Sequence, residues 1–130
     1  MKQKITNIEA PLPSGNYSQA IKVGNFVFIS GQLPLKNGEI INNNIYMACR
    51  QCLINISNIC NKAYGTINDV VKMNVYYTDI RYSEVFDEII PEFFLEPYPS
   101  RIRIGVNCIS KKSSIEVEAI MYIKNENTDK

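Results

Sequence analysis

Residues 45–78 read IYMACRQCLINISNICNKAYGTINDVVKMNVYYT, and the spacing of the apolar positions changes part-way along them. From Ile45 to Ala63 they fall at Ile45, Ala48, Cys52, Ile56, Ile59, Cys60 and Ala63, mostly three or four residues apart, as on one face of a helix. Gly65 suits a C-terminal helix stop. Beyond it Val71, Met73, Val75 and Tyr77 alternate with Lys72, Asn74, Tyr76 and Thr78, the period of a strand with one buried face. Each element has one apolar side to bury, so this stretch predicts a layered domain in which helix covers sheet.

Downstream, Ser83 suits an N-cap, and Val85, Phe86, Ile89, Ile90, Phe93 and Phe94 form a second helical stripe. Pro91 sits inside that stripe and predicts a kink or an early end. After the turn at Pro97-Tyr98-Pro99, two alternating segments follow, Arg101 to Val106 and Ile115 to Ala119. Upstream, Ile5 to Ile8 and Tyr17 to Val23 read as extended segments separated by a turn-rich stretch. Gly24-Asn25 then links the second of them to Phe26-Val27-Phe28-Ile29, a hairpin signal. Asn42-Asn43-Asn44 reads as a loop, and the polar tail from Asn125 to Lys130 as a frayed end. The predicted order is β-β-β-α-β-α-β-β, an α+β fold.

Composition narrows the chemistry. The 130 residues predict a single domain, residues 1–130, and fourteen Lys+Arg against thirteen Asp+Glu leave a formal charge of +1. That balance asks for neither nucleic acid nor an anionic membrane. No apolar run approaches the roughly eighteen residues of a membrane span, and the first residues carry no targeting pattern, so a cytoplasmic protein is expected. Four cysteines without a secretion signal predict reduced thiols. The chain contains no histidine, which removes histidine triads, histidine general bases and histidine-containing zinc sites.

Strand geometry puts Arg101 and Arg103 on one face of their strand, and Glu116 and Glu118 together on one face of the next. Two readings are open: a surface ion-pair cluster, or a substrate-carboxylate clamp beside an acid or base, since the planar arginine fork matches a carboxylate. Cys49-Arg50-Gln51-Cys52 has the form C-x-x-C but lies within the first helix with no second pair, so its cysteines read as packed side chains. Tyr76 and Tyr77 alternate faces, placing at least one in the core. The glycines are too scattered for a phosphate loop.

Three blocks resemble a known family. Ala10-Pro11 with Gly15-Asn16-Tyr17-Ser18-Gln19-Ala20, Phe28-Ile29-Ser30-Gly31-Gln32, and Pro99-Ser100-Arg101 followed by Ile115-Glu116-Val117-Glu118-Ala119 are similar to blocks of the RidA/YjgF family, also called the L-PSP endoribonuclease family. The resemblance spans nearly the whole chain in order. It implies a chorismate-mutase-like mixed sheet covered on one face by two helices, with the last strand inserted into the sheet, and a homotrimer with pockets at the subunit interfaces. It further implies hydrolysis of reactive 2-imino acids such as 2-iminopropanoate and 2-iminobutanoate to 2-keto acids and ammonia. By the same resemblance Arg101 would bind the substrate carboxylate and Glu116 would orient or activate water, both as catalytic residues, with Tyr17, Ser30, Gly31, Ser83 and Arg103 at the substrate. No metal, no cofactor and no membrane are implied, and RNA is not expected as a partner.

Departures from the family pattern fall at Asn16 for the usual Pro, Ser83 for Asn, and Ile102 and Arg103 for the Ser and Cys after the key arginine. Arg103 adds bulk and charge near the anion site. Two alternatives remain beside the deaminase: an endoribonuclease or translation inhibitor of the L-PSP type, and a non-enzymatic trimer that binds small acids.

Overall fold

In the computed structural model, which describes residues 1–124, the first helix, α1, runs over Ile45–Lys62. The tail expected to fray, from Asn125, lies outside the described residues. Asn44 starts α1: its backbone is extended and its side-chain oxygen accepts from the Met47 amide at 3.1 Å, pairing a donor that the first turn leaves orphaned. The helix ends differently from expectation. Tyr64, not Gly65, takes the left-handed backbone at φ 66°, and Gly65 donates its amide to the Cys60 carbonyl at 3.0 Å. A Cβ at position 65 would lie 2.6 Å from Met121 Cε and 2.7 Å from an Asp69 carboxylate oxygen, so glycine there leaves room for the ends of both side chains.

The sheet opens with β1 (Gln3–Ile5), β2 (Ala20–Val23) and β3 (Phe26–Gln32), joined as antiparallel neighbours. The expected hairpin at Gly24-Asn25 is present, with Gly24 at φ 58°. A small separate hairpin, β4 (Leu35–Lys36) and β5 (Glu39–Ile40), was not foreseen. Its strands are too short to alternate, but its turn, Asn37-Gly38 at φ 52° and 81°, carries the dipeptide that two-residue hairpins favour.

The remaining strands are β6 (Val70–Tyr77), β7 (Ser100–Gly105) and β8 (Ile115–Tyr122), with α2 (Tyr82–Phe93) between β6 and β7. Sheet order is β1-β2-β3-β8-β6-β7; β6 and β7 run parallel and all other pairs antiparallel. The last strand is thus inserted between β3 and β6 rather than folded back on β7. This two-helix, mixed-sheet α+β arrangement is the one anticipated.

Both helices cover the same face, where Leu53, Ile56, Phe86 and Ile89 meet Val27, Met73, Val75, Val117 and Met121, all essentially inaccessible to solvent. Tyr77 is the core tyrosine of its pair. Alternation in β6 slips at its start: a register shift between Val70 and Lys72 buries Val70 and leaves Val71 exposed.

Two expectations for α2 are corrected. Ser83 is not the cap; the helix begins after Arg81, the Tyr82 amide donates to the Asp79 carbonyl, and Ser83 is buried one residue further in. Pro91 does not end the helix at Ile90: it brings no N–H to the Asp87 carbonyl, but the helix runs on to Phe93 and closes with the Phe94 amide on the Ile90 carbonyl at 2.9 Å.

The other face of the sheet has no helix on it. Phe26, Phe28, Ile102 and Tyr122 are 45%, 46%, 53% and 41% exposed there, a level of apolar exposure that sets this face apart from the helix side. No helix among the described residues is long and apolar enough to cross a membrane.

Candidate active site

The flanking strands decide where the charged side chains point. Arg101 pairs with Met73 and Arg103 with Val75, both core residues, so the two arginines project toward the helix side at the sheet edge. There α2 receives them. The Arg101 guanidinium pairs with Asp87 through Nη2 and lies 5.5 Å from the centre of the Phe86 ring, a cation–π distance. Arg103 Nη1 donates to Ser83 Oγ at 3.3 Å. Arg101, Asp87, Met73, Pro91 and Tyr98 line a cleft of about 360 Å³.

Glu116 and Glu118 belong to the opposite face. Glu116 is paired with Tyr76 and Glu118 with Asn74, residues that turn away from the helices. Glu118 is well held, accepting from Tyr76 Oη at 2.6 Å and Asn74 Nδ2 at 2.9 Å; the first bond pushes the Tyr76 phenol up to about 12. Glu116 has no hydrogen bond or ion pair among the described residues. Its carboxylate lies against Gly31, and burial, followed by the charge of Glu118, raises its pKa above the ordinary glutamate value. With Tyr17, Gly31, Gln32, Lys111 and Ser14 it lines a second cleft, of about 260 Å³.

The residues expected to form one site therefore separate into two groups within a single chain. Tyr17 and Gly31 stand with Glu116, whereas Ser83 and Arg103 stand with Arg101. Tyr17 is about half exposed, and its phenol oxygen accepts from the Ser14 amide at 3.4 Å. Ser30 lines neither cleft: its hydroxyl donates to the Ser18 carbonyl at 2.6 Å, fastening β3 to the segment before β2. Arg101 and Glu116 cannot act on one small molecule within one protomer, because the sheet lies between their faces.

Asp87, Gln32 and Lys111 were not foreseen. Asp87 had a readable signal, since it lies four residues after Ser83 and so faces the same strand from α2. Lys111 sits in a 3₁₀ turn with left-handed backbone at φ 57°, which nothing in the residue type announces. The cysteines of α1 are buried as expected, and burial pushes the Cys49 and Cys60 thiols up to about 12. Cys108 is exposed. Among the described residues no three His, Cys, Asp or Glu side chains converge to hold a metal ion.

Comparison with known proteins places this geometry in context. Residues 7–123 match the family profile described as Endoribonuclease L-PSP. A RutC family protein of Pyrococcus horikoshii is 44% identical over 94% of this chain and 98% of its own length. A protein of Dermatophagoides farinae named 2-iminobutanoate/2-iminopropanoate deaminase is 31% identical over 95% of this chain and 98% of its own. Among solved structures, RidA from the Antarctic bacterium Psychrobacter superposes with a TM-score of 0.89 at 41% identity, covering 93% of this chain and 99% of that one.

Proposed function

Given that the chain belongs to the Endoribonuclease L-PSP family, which includes the RidA and RutC proteins, we propose that it hydrolyses small 2-imino acids to 2-keto acids and ammonia. One observation carries the reading: a half-buried carboxylate, Glu116, without a partner among the described residues, at the wall of a cleft sized for a small organic acid. The relative named as an imino-acid deaminase supports the choice of substrate.

In this reading two copies of the chain complete each site. Arg101 of one protomer binds the substrate carboxylate, with Ser83 and Arg103 beside it, and the Glu116 cleft of the next supplies the catalytic carboxylate. The exposed apolar sheet face is the surface that the copies bury, in the homotrimer implied by the resemblance. Asp87 occupies only Nη2 of the Arg101 guanidinium, and the remaining N–H groups suffice for a carboxylate.

The chemistry needs little besides placement. Glu116 takes a proton from water as the water oxygen bonds to the imine carbon. Glu116 passes that proton to the imine nitrogen, giving a carbinolamine; it then relays the hydroxyl proton to the same nitrogen, the carbon–nitrogen bond breaks, and ammonia leaves as the carbonyl forms. The raised pKa of Glu116 brings its basicity closer to neutrality, which favours proton transfer in both directions.

The test is ammonia release from freshly generated 2-iminopropanoate. Arg101→Ala should slow it about tenfold or more, from the roughly 1.5–3 kcal/mol of a charged hydrogen bond, and Glu116→Gln on the order of 10²-fold or more. A parent protein that releases no ammonia above the buffer rate, or an Arg101→Ala variant as fast as the parent, would overturn the reading. Ribonuclease action is the second reading, favoured by the family description; it requires RNA binding that weakens steeply with added salt.

A further inference from the structure

The Arg101 cleft carries a negative charge of its own. Asp87 reaches it from α2, one turn beyond Ser83, and its Oδ1 accepts from Arg101 Nη2. The other oxygen of that carboxylate bonds to nothing among the described residues, and the side chain is about half exposed. Around the ion pair the walls are apolar, with Met73, Ile90, Pro91 and Pro99 among them. Of the described residues that line the cleft, Arg101 is the one cation and Asp87 the one anion, so the cleft is neutral before any ligand enters.

That balance limits what can bind. A ligand carboxylate on the remaining N–H groups of Arg101 uses the single cation present. The rest of the molecule then meets apolar walls and the Asp87 carboxylate. An uncharged chain is accepted there, whereas a second carboxylate is repelled by a like charge a few ångströms away, in a cleft partly shielded from water. Arg103, the nearest other cation on β7, does not line the cleft; its Nη1 donates to Ser83 Oγ at 3.3 Å, one turn back along α2.

We propose that Asp87 is a specificity-determining residue, restricting the Arg101 cleft to acids with one negative charge and an uncharged chain. The assignment deepens the deaminase reading and rests on it only in taking Arg101 as the carboxylate anchor. For the reaction, it means that 2-imino acids with an acidic side chain are poor substrates.

2-Oxopentanoate and 2-oxoglutarate share a five-carbon 2-keto acid skeleton and differ by the second carboxylate, at C5. Titration calorimetry against the parent protein should show 2-oxopentanoate bound about tenfold or more tightly. Asp87→Asn keeps an oxygen for Arg101 Nη2 and removes the charge. Both acids should then bind more tightly, 2-oxoglutarate by the larger factor, bringing the ratio toward one; a merely structural role would move both affinities alike. Added salt should also narrow the ratio in the parent, since it screens repulsion at a half-exposed carboxylate and not apolar contact. Equal binding by the parent overturns the proposal, as does tighter binding of 2-oxoglutarate, the result expected if Arg103 takes the second carboxylate. So does a ratio unchanged in Asp87→Asn, the mark of apolar walls acting alone. Should that variant fail to fold, the salt series decides. Binding of neither acid overturns both the proposal and the anchor role of Arg101. The expected ratios in a protein that releases no ammonia would retain this assignment and sink the deaminase reading.

Discussion

The Glu116 carboxylate lies where a Cβ on Gly31 would come within 2.4 Å of its Oε2. The clash would be with the far end of a flexible side chain, not with backbone, so Gly31→Ala should leave the fold intact at a cost below about 1 kcal/mol. The carboxylate, however, must swing aside. Misplacing a catalytic group by about an ångström can cost on the order of 10²-fold, and ammonia release should fall by that amount while the thermal midpoint barely moves. Glu116 also leaves a mark on stability. Its folded pKa is raised, so the folded state binds more protons than the unfolded state between the ordinary glutamate value and the raised one, and stability declines as pH rises through that window. Glu116→Gln removes the penalty. Thermal denaturation should show the variant more stable than the parent at neutral pH, with the difference vanishing below the ordinary carboxylate range.

Element boundaries were legible where side chains alone decide them and obscure where neighbours do. The three-and-four spacing located α1 to within a residue, because an amphipathic helix states its buried face locally. Asn44 caps it as Asn at such a position does, and Asn44→Ala should cost about 1 kcal/mol in chemical denaturation, with no change in ammonia release. Ser83 misled, since its composition suits a cap but tertiary contact wins. Arg103, from a strand parallel to β6, reaches its hydroxyl, while the turn at Asp79 starts the helix instead. In β6 the strict alternation reading placed Val71 inward; the slip at the strand's start, invisible without the register of β8, buried Val70. The short hairpin at Asn37-Gly38 shows the converse, a turn dipeptide that was present and went unread because its strands carry no period.

At the scale of the molecule, the residues of the candidate site were legible as types and spacings, but not the separation between them. Whether Arg101 and Glu116 share a face depends on what each strand pairs with. With β8 inserted beside β6, the parity of Arg101 is set by Met73 and that of Glu116 by Tyr76, on opposite sides of the sheet. In the proposed reaction each chain supplies two half-sites, and catalysis through both would demand a second copy. The uncovered sheet face offers the means. Phe26 packs edge-on against Tyr122 at 5.1 Å between ring centres and lies 6.4 Å from Phe28, giving an aromatic surface that water contacts only in an isolated protomer if the copies close over it. Phe28 is nearly half exposed, so Phe28→Asp removes little from the core of its own protomer and places a charge at the centre of that surface. Sedimentation velocity should find the parent as a trimer and the variant as a folded monomer, with ammonia release lost in step. A variant that remains trimeric, or a monomer that keeps full activity, would mean that the two half-sites do not work across this face.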